Sequence, residues 1–254
     1  MQYMRSLQFI QDRKNWMMNI LWIGLCLMSG MIIPIIGQLI MMGYFYIMIE
    51  SLHKDPEHRD YPDFDINRFT EYLSRGVWPF LVSLIVGVVM MVPIMIGYFL
   101  GFVVAMAAAK DAPFLIILFY FVFVVVVIAL AIAATLISWP ASLYAGLSRG
   151  FDFKGMVGFV KDFNNRVLKE LIYSLLFLIA AGIVAELVGC IALCVGIFFT
   201  MAAVQMAQHH LQFQLYELYL QRGGTQIPLA ASSSSPPPPP RDDGAPDERF
   251  RAAP

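Results

Sequence analysis

"VWPFLVSLIVGVVMMVPIMIGYFLGFVVAMAAA", Val77–Ala109, carries no charged residue, and its reading decides the fold. It ends at Lys110–Asp111, and a second uncharged run, Ala112–Ser148, follows at once. A helix needs about 20 apolar residues to cross a bilayer core. Both runs exceed that length, and a Lys–Asp pair is costly in hydrocarbon. The pattern predicts two membrane crossings joined by a water-exposed turn at Lys110–Asp111. Outward from this pair, Trp16–Ile49 and Leu187–Tyr216 are also free of charge. Composition agrees: 59% of residues are hydrophobic and 14% charged, with a mean hydropathy of +0.69, whereas a soluble domain is about a quarter charged. Lipid offers the backbone no hydrogen-bond partner, so helices are the expected solution.

Trp16–Ile49 is too long for one crossing and short for two. Its centre, "MSGMIIPIIG" (Met28–Gly37), holds Pro34, which removes a backbone donor and clashes with the preceding turn. A tight hairpin is expected there. A break near Glu186–Gly189 divides the last apolar block. The expected fold is an all-α, polytopic transmembrane helical bundle with six crossings in three hairpins, at about 16–32, 35–52, 77–103, 113–138, 169–187 and 190–213. Pro93 and Pro140 are the natural kink points. The last helix should stop at Gly223 and Gly224.

Lys and Arg in short connections set orientation. Residues 1–15, Glu50–Gly76 and Arg149–Glu170 carry twelve of them, against Lys110 alone on the other side. Both termini are therefore expected in the cytoplasm of a bacterium, with the transmembrane domain at 16–221 in the plasma membrane. Arg5, Arg13 and Lys14 ahead of an apolar run resemble a signal peptide, but no small-residue cleavage site follows, so an uncleaved first span is expected. Trp16, Tyr46, Trp78, Trp139, Tyr216 and Tyr219 fall near the inner interface in this threading. Residues 222–254 form a Ser/Pro-rich cytoplasmic tail whose composition cannot build a core, and disorder is expected from Gln226 onward. Its PPPPPR run suits either a soluble linker or an aromatic docking groove.

Few residues suggest chemistry. The three cysteines, Cys26, Cys190 and Cys194, lie in apolar runs, where neither a disulfide framework nor a zinc site is expected. A net charge of −1 without a basic patch gives no reason to expect nucleic acid. Phosphate-loop, zinc-protease and Ser–His–Asp patterns are missing from the sequence. No catalytic, cofactor or metal residue is expected.

The connection Glu50–Gly76 is rich in acids and contains His53 and His58, but calcium-loop alternation is not present. Within it, Pro62 blocks a helix, and Asp63 or Asp65 can cap one beginning near Asn67. Tyr61 and Phe64 are expected on the headgroup boundary. Tyr61, Pro62, Asp63, Phe64 and Asp65 are also the candidate docking segment for a cytoplasmic partner. Glu186, an acid within an apolar block, is the candidate intramembrane functional residue. His209 and His210 should point about 100° apart. Small residues at Gly97, Gly101 and Ala105, and at Ala181, Ala185 and Gly189, recur every four positions and predict close helix packing, within the chain or in a homo-oligomer.

Two segments look related, "DFDINRF" (Asp63–Phe69) and "DFNNRVL" (Asp162–Leu168), each leading toward a hairpin. "GYFYIMIESLHKD" (Gly43–Asp55) followed by "YPDFDINRFTEYLSRGV" (Tyr61–Val77) carries a further likeness. Gly43-Tyr44, then Pro62-Asp63-Phe64-Asp65, then Gly76 resembles the pattern of domain of unknown function 4013, a prokaryotic family of multi-pass membrane proteins. Tyr61 stands where leucine is more usual. In organisation the resemblance runs over roughly Arg5–Gln221. It implies the multi-pass architecture and brings no activity with it.

The expected function is that of a non-catalytic membrane scaffold or partner-binding subunit, in contact with membrane lipid. A small-solute or ion transporter or channel is the alternative, with Gln38, Ser83, Thr135, Ser138 and Ser174 as its mid-depth polar residues. A lipid-acting enzyme using Asp152, Asp162, Asn164 and Asn165 comes third.

Overall fold

Seven α-helices are found in a computed structural model that describes residues 1–54, 61–108, 113–191 and 196–229. They are α1 (Tyr3–Gln8), α2 (Trp16–Ser29), α3 (Pro34–Lys54), α4 (Phe69–Ala108), α5 (Pro113–Ser148), α6 (Phe153–Ile191) and α7 (Gly196–Gln221), with 3-10 turns at Phe9–Asp12 and Ile66–Arg68. No strand occurs among the described residues. The Lys110–Asp111 turn, Cys194, His58 and residues 230–254 of the tail lie outside the described residues.

Four segments are long and apolar enough to cross a membrane: Ile35–Lys54, Ile66–Met106, Phe114–Ser148 and Phe153–Ile191. α2 has 14 residues, about 21 Å of helix, so it is shorter than a full crossing.

The molecule has two parts. Its core is a base made from α1, α2, α3, the start of α4, the end of α5, the first half of α6, and α7. From this base α4 and α5 leave as a long antiparallel limb. Almost none of the apolar stretch of α4, and none of that of α5, is buried inside the protein. The limb is notched together by small residues: a Cβ on Gly97 would sit 2.1 Å from the Phe123 ring, and one on Gly101 would sit 2.7 Å from Phe119. α6 and α7 form a second limb, closed where a Cβ on Gly189 would lie 2.6 Å from Ile197 Cα. Such side-chain-free notches allow the close approach that holds helices together in lipid.

The helices run on through their prolines. α4 continues through Pro79 and Pro93, and α5 through Pro140. Pro140 has no N–H to give the carbonyl four residues earlier. That carbonyl, Leu136 O, accepts instead from Asn164 Nδ2 of α6 at 3.0 Å. The break in α6 is at Val167, with φ −130° and ψ 16°. It separates an amphipathic first half, in which Met156, Phe159 and Phe163 are buried, from the second limb.

α7 stops as expected. Gly223 has φ +78°, Gly224 N donates to Tyr219 O at 3.0 Å, and Gly223 N donates to Leu220 O at 2.9 Å. This paired arrangement satisfies the last carbonyls of a helix and favours glycine at the left-handed position. Disorder does not begin at Gln226, however. Ile227 is buried and its N–H donates to the Tyr216 hydroxyl at 3.0 Å, so the chain packs back onto α7 as far as Leu229. Residues 1–15 are likewise part of the base. Ser6 is buried and hydrogen-bonds with His210 at 3.0 Å, and Gln2 N donates to Gln214 Oε1 at 2.9 Å.

Candidate functional site

The segment Tyr61–Asp65 is threaded through the base. Pro62 keeps it extended, and each residue is then held by a different element. The Tyr61 hydroxyl donates to Ile10 O at 2.7 Å, and its ring lies 4.7 Å from that of Phe9. Arg13 Nε donates to Tyr61 O at 2.6 Å, and the Tyr44 hydroxyl donates to Pro62 O at 3.0 Å. Asp63 accepts from Asn15 at 2.9 Å and from Asn19 at 3.1 Å. Asn19 Oδ1 in turn accepts from Phe64 N at 2.8 Å. Asp65 Oδ1 accepts from Asn67 N at 2.9 Å and caps the 3-10 turn that opens α4, as the sequence suggests.

Burial pushes the Tyr61 phenol up to about 12. Burial also opposes ionisation of Asp63, but the hydrogen bonds from Asn19 and Asn15 and the charge of Arg13 outweigh it and hold the carboxyl below its ordinary value. The placement of Tyr61 and Phe64 on a headgroup boundary is therefore corrected. Tyr61 is 0% and Phe64 8% exposed, with Phe64 against Tyr44, Tyr72 and Trp22. None of the five side chains is fully exposed. The segment joins the Phe9–Asp12 turn, α2, α3 and α4 into one body.

Beside it, α3 and α4 meet backbone to backbone. A Cβ on Gly43 would sit 1.9 Å from Tyr72 O, and one on Gly76 would sit 1.9 Å from Leu39 O. Only glycine fits at either place. The contact carries Glu50 of α3 and Arg75 of α4 together into the base, where each is 6% exposed and the two form an ion pair. Lys54 Nζ is 2.7 Å from Glu50, and Arg149 Nη2 is 3.4 Å away. Arg149 ends α5 with φ +53°, a left-handed conformation that turns the chain toward α6. Arg68 and Glu71 pair at 2.8 Å on the rim.

These residues line a cleft of about 690 Å³, with Trp78 on its wall. Its electrostatics are unbalanced. Among the described residues, Lys54, Arg68, Arg75 and Arg149 face Glu50 and Glu71 alone. Arg75 Nε, Arg75 Nη1 and Arg149 Nε are buried without a hydrogen-bond partner among the described residues. Buried guanidinium donors left unsatisfied are costly, and a cleft with spare donors and net positive charge is suited to an anion.

Sequence reasoning counted Glu50, Arg75 and Arg149 only as loop charges. One signal was available: Glu50 lies seven residues after Gly43, two helical turns along the same face, and Arg75 precedes Gly76.

The other candidates do not converge on the cleft. Glu186 is exposed near the far end of α6, with no ion pair among the described residues. Gly97, Gly101 and Gly189 make the notches described above, whereas Ala105, Ala181 and Ala185 are half-buried. His209 stacks on Phe45 at 4.0 Å and His210 on Phe9 at 4.1 Å, so neighbouring histidines do face different elements. Cys26 is half-buried and Cys190 exposed.

Asp152, Asp162 and Asn164 have structural duties. Asp152 Oδ1 accepts from Gly155 N at 3.1 Å at the start of α6, Asp162 pairs with Arg166 at 2.9 Å and accepts from the Tyr219 hydroxyl at 2.8 Å, and Asn164 serves Leu136 O. Asn165 lines a shallow hollow with Arg166 and Lys169 instead. Ser83, Thr135 and Ser174 donate to the carbonyl four residues earlier on their own helices, at 3.0, 2.9 and 2.8 Å. The two related segments differ in conformation, Asp63–Asp65 lying outside any helix and Asp162–Arg166 being helical up to the break at Val167, though Phe64 and Phe163 are both buried.

The family described as "Protein of unknown function (DUF4013)" matches residues 26–195. That span runs from the end of α2 to the connection before α7. It includes Gly43, Gly76 and all the charged residues of the cleft, and is narrower than the likeness read from organisation alone. No curated protein and no solved structure matches the chain.

Proposed function

The chain belongs to the DUF4013 family, and we propose that it is a non-catalytic scaffold of the bacterial plasma membrane. In this reading six helices cross as three hairpins, and the base, with both termini, lies on the cytoplasmic side. Four helices have the length and composition to cross unaided. At the tip of the α2–α3 hairpin, Met31, Ile32, Ile33, Ile35 and Ile36 are all exposed, which extends its apolar reach beyond the 14 residues of α2. By sequence, twelve of thirteen connecting Lys and Arg residues belong to residues 1–15, Glu50–Gly76 and Arg149–Glu170, a bias that supports a cytoplasmic base.

The observation that carries the scaffold reading is the α4–α5 limb. It is locked internally at Gly97–Phe123 and Gly101–Phe119, yet its outward side chains are bare. Phe99, Phe102 and Phe121 are each more than half exposed. A rigid apolar arm fixed to a polar base is a surface for another membrane protein. In the base, meanwhile, the polar groups named above are mostly engaged in holding its elements together.

A photo-crosslinking residue placed at Phe102 or Phe121 tests this in intact membranes. A discrete protein adduct is expected. Adducts to lipid alone at both positions would refute the scaffold reading while leaving the membrane topology intact. The topology has its own test, labelling of single cysteines with an impermeant reagent. A cysteine at Lys161 should react only from the cytoplasmic face and one at Lys110 only from the other.

A further inference from the structure

A second hollow, of about 440 Å³, opens beside the charged cleft. It is lined by Val82 and Val86 of α4, Ile137 and Ala141 of α5, and Met156 and Val160 of α6, and its wall is almost wholly apolar. The two hollows share a boundary: Trp78 lines the first, Phe151 lines the second, and their rings stack with centroids 6.3 Å apart. Arg75, Trp78, Val82 and Val86 recur at three- and four-residue steps, so they lie along one face of α4. That face changes from guanidinium to indole to aliphatic. Arg75 and Val82 are about 10 Å apart along the helix, which is of the order of the interfacial layer between headgroup and hydrocarbon. The direction is right as well, because α4 passes from base to limb as the residue number rises.

We propose that the charged cleft and the apolar hollow form one site for an anionic phospholipid. The phosphate accepts from Arg149 and Arg75 in the cleft, and an acyl chain passes Trp78–Phe151 to lie between α4, α5 and α6. The inference rests on the reading that the base adjoins the inner face of the bilayer. Two independent features support it. Among the described residues, the cleft has an excess of cations with buried N–H groups that lack acceptors. The adjoining hollow offers apolar walls where a free oxyanion has no use for them. Trp78 at the junction suits a ring that is apolar on its faces and polar at its N–H.

The test uses the full chain, purified in detergent and stripped of lipid, with bound species read by native mass spectrometry. Phosphatidylglycerol, phosphatidylcholine and inorganic phosphate are titrated separately. Phosphatidylglycerol should be retained in preference to phosphatidylcholine. Arg149→Gln should weaken it about tenfold or more, as the loss of a charge-assisted hydrogen bond implies. Val86→Trp, which fills the hollow and leaves every charge in place, should weaken phosphatidylglycerol binding without changing the response to inorganic phosphate.

Equal retention of the two lipids overturns the proposal, as does binding unchanged in both variants. Full displacement of phosphatidylglycerol by inorganic phosphate, with Val86→Trp inert, assigns the cleft to free phosphate and overturns the lipid site. Should Arg149→Gln fail to fold, Val86→Trp alone decides. Alkaline extraction of native membranes is done first. Release of the chain there would sink the membrane reading itself, whereas retention followed by indiscriminate lipid binding sinks only this inference.

Discussion

Replacing Gly43 or Gly76 by alanine should damage this protein far more than the same change made elsewhere on its helices. At each position the added carbon would lie 1.9 Å from a backbone carbonyl oxygen of the facing helix, Tyr72 O or Leu39 O. Ordinary contact begins near 3.4 Å, so α3 and α4 must separate by about 1.5 Å. A flexible side chain could swing aside, but two hydrogen-bonded helix backbones cannot. Overpacking of a core costs about 1–3 kcal/mol, and a clash between backbones belongs at or above the top of that range. Separation would also pull Glu50 from Arg75, because both ride on the same crossing.

Gly158 is the internal control, since a Cβ there meets nothing within 4 Å. Alanine in a helix interior is favoured over glycine by about 0.5–1 kcal/mol, so Gly158→Ala should stabilise. Gly43→Ala and Gly158→Ala therefore carry opposite signs for one chemical change. Thermal unfolding of the purified protein, followed by the loss of its monodisperse elution peak, measures both. The double variant Gly43→Ala/Gly76→Ala should cost less than the two single costs added, because one displacement relieves both clashes. If Gly43→Ala melts at or above the wild-type temperature, the backbone contact is not as described.

Three further outcomes follow from the base. Tyr61→Phe keeps the ring on Phe9 but deletes a buried donor 2.7 Å from Ile10 O, so the melting temperature should fall by an amount equivalent to about 1–2 kcal/mol; an unchanged melt contradicts that bond. The folded pKa of Asp63 is depressed, so its contribution is fully present above the unfolded value of about 3.9 and is lost as pH falls through the lower folded value. Melting temperatures taken from pH 6 down to 3 should show an acid-side loss that Asp63→Asn reduces, and identical acid limbs would count against it. Glu50→Gln leaves Lys54, Arg75 and Arg149 facing one another, with an expected cost of about 3–5 kcal/mol. Glu50→Met combined with Arg75→Met should lie much closer to wild type, and equal damage in both would argue against a buried pair.

The limbs were legible in the sequence and the base was not. A run such as Val77–Ala109 has one physical solution in lipid, and Gly223–Gly224 and Asp65 announce a helix stop and a cap by local chemistry alone. The tyrosines are another matter. Tyr44, Tyr61 and Tyr219 are buried and donate their hydroxyls to Pro62 O, Ile10 O and Asp162. Tyr72 and Tyr216 are buried and accept from Asp65 N and Ile227 N. An amphipathic ring whose polar tip finds a backbone partner inside a protein reads in sequence like one whose tip finds a headgroup. The difference lies in contacts that reach 7 to 57 residues along the chain. For the same reason residues 1–15 read only as a cytoplasmic N-terminal segment, although Ser6 and Phe9 are seated on His210. Gly43 and Gly76 were visible as a family pattern, but the carbonyls that make glycine necessary belong to residues no local rule connects to them.

A division of labour between limb and base follows from the solvent each part meets. Between helices in lipid there is no hydrophobic drive to association, so close packing at small residues and interhelical hydrogen bonds must serve. The α4–α5 limb has its glycine notches, and among the described residues of α4 beyond Val82 only Gly101 is buried. Nothing in the limb itself fixes its angle to α6. That angle is set lower down, where Asn164 reaches Leu136 O beside Pro140 and where Arg149 turns the chain between α5 and α6. The charged cleft and the apolar hollow lie on this same seam. A ligand there would touch α3, α4, α5 and α6 within the few turns that decide how the limbs diverge.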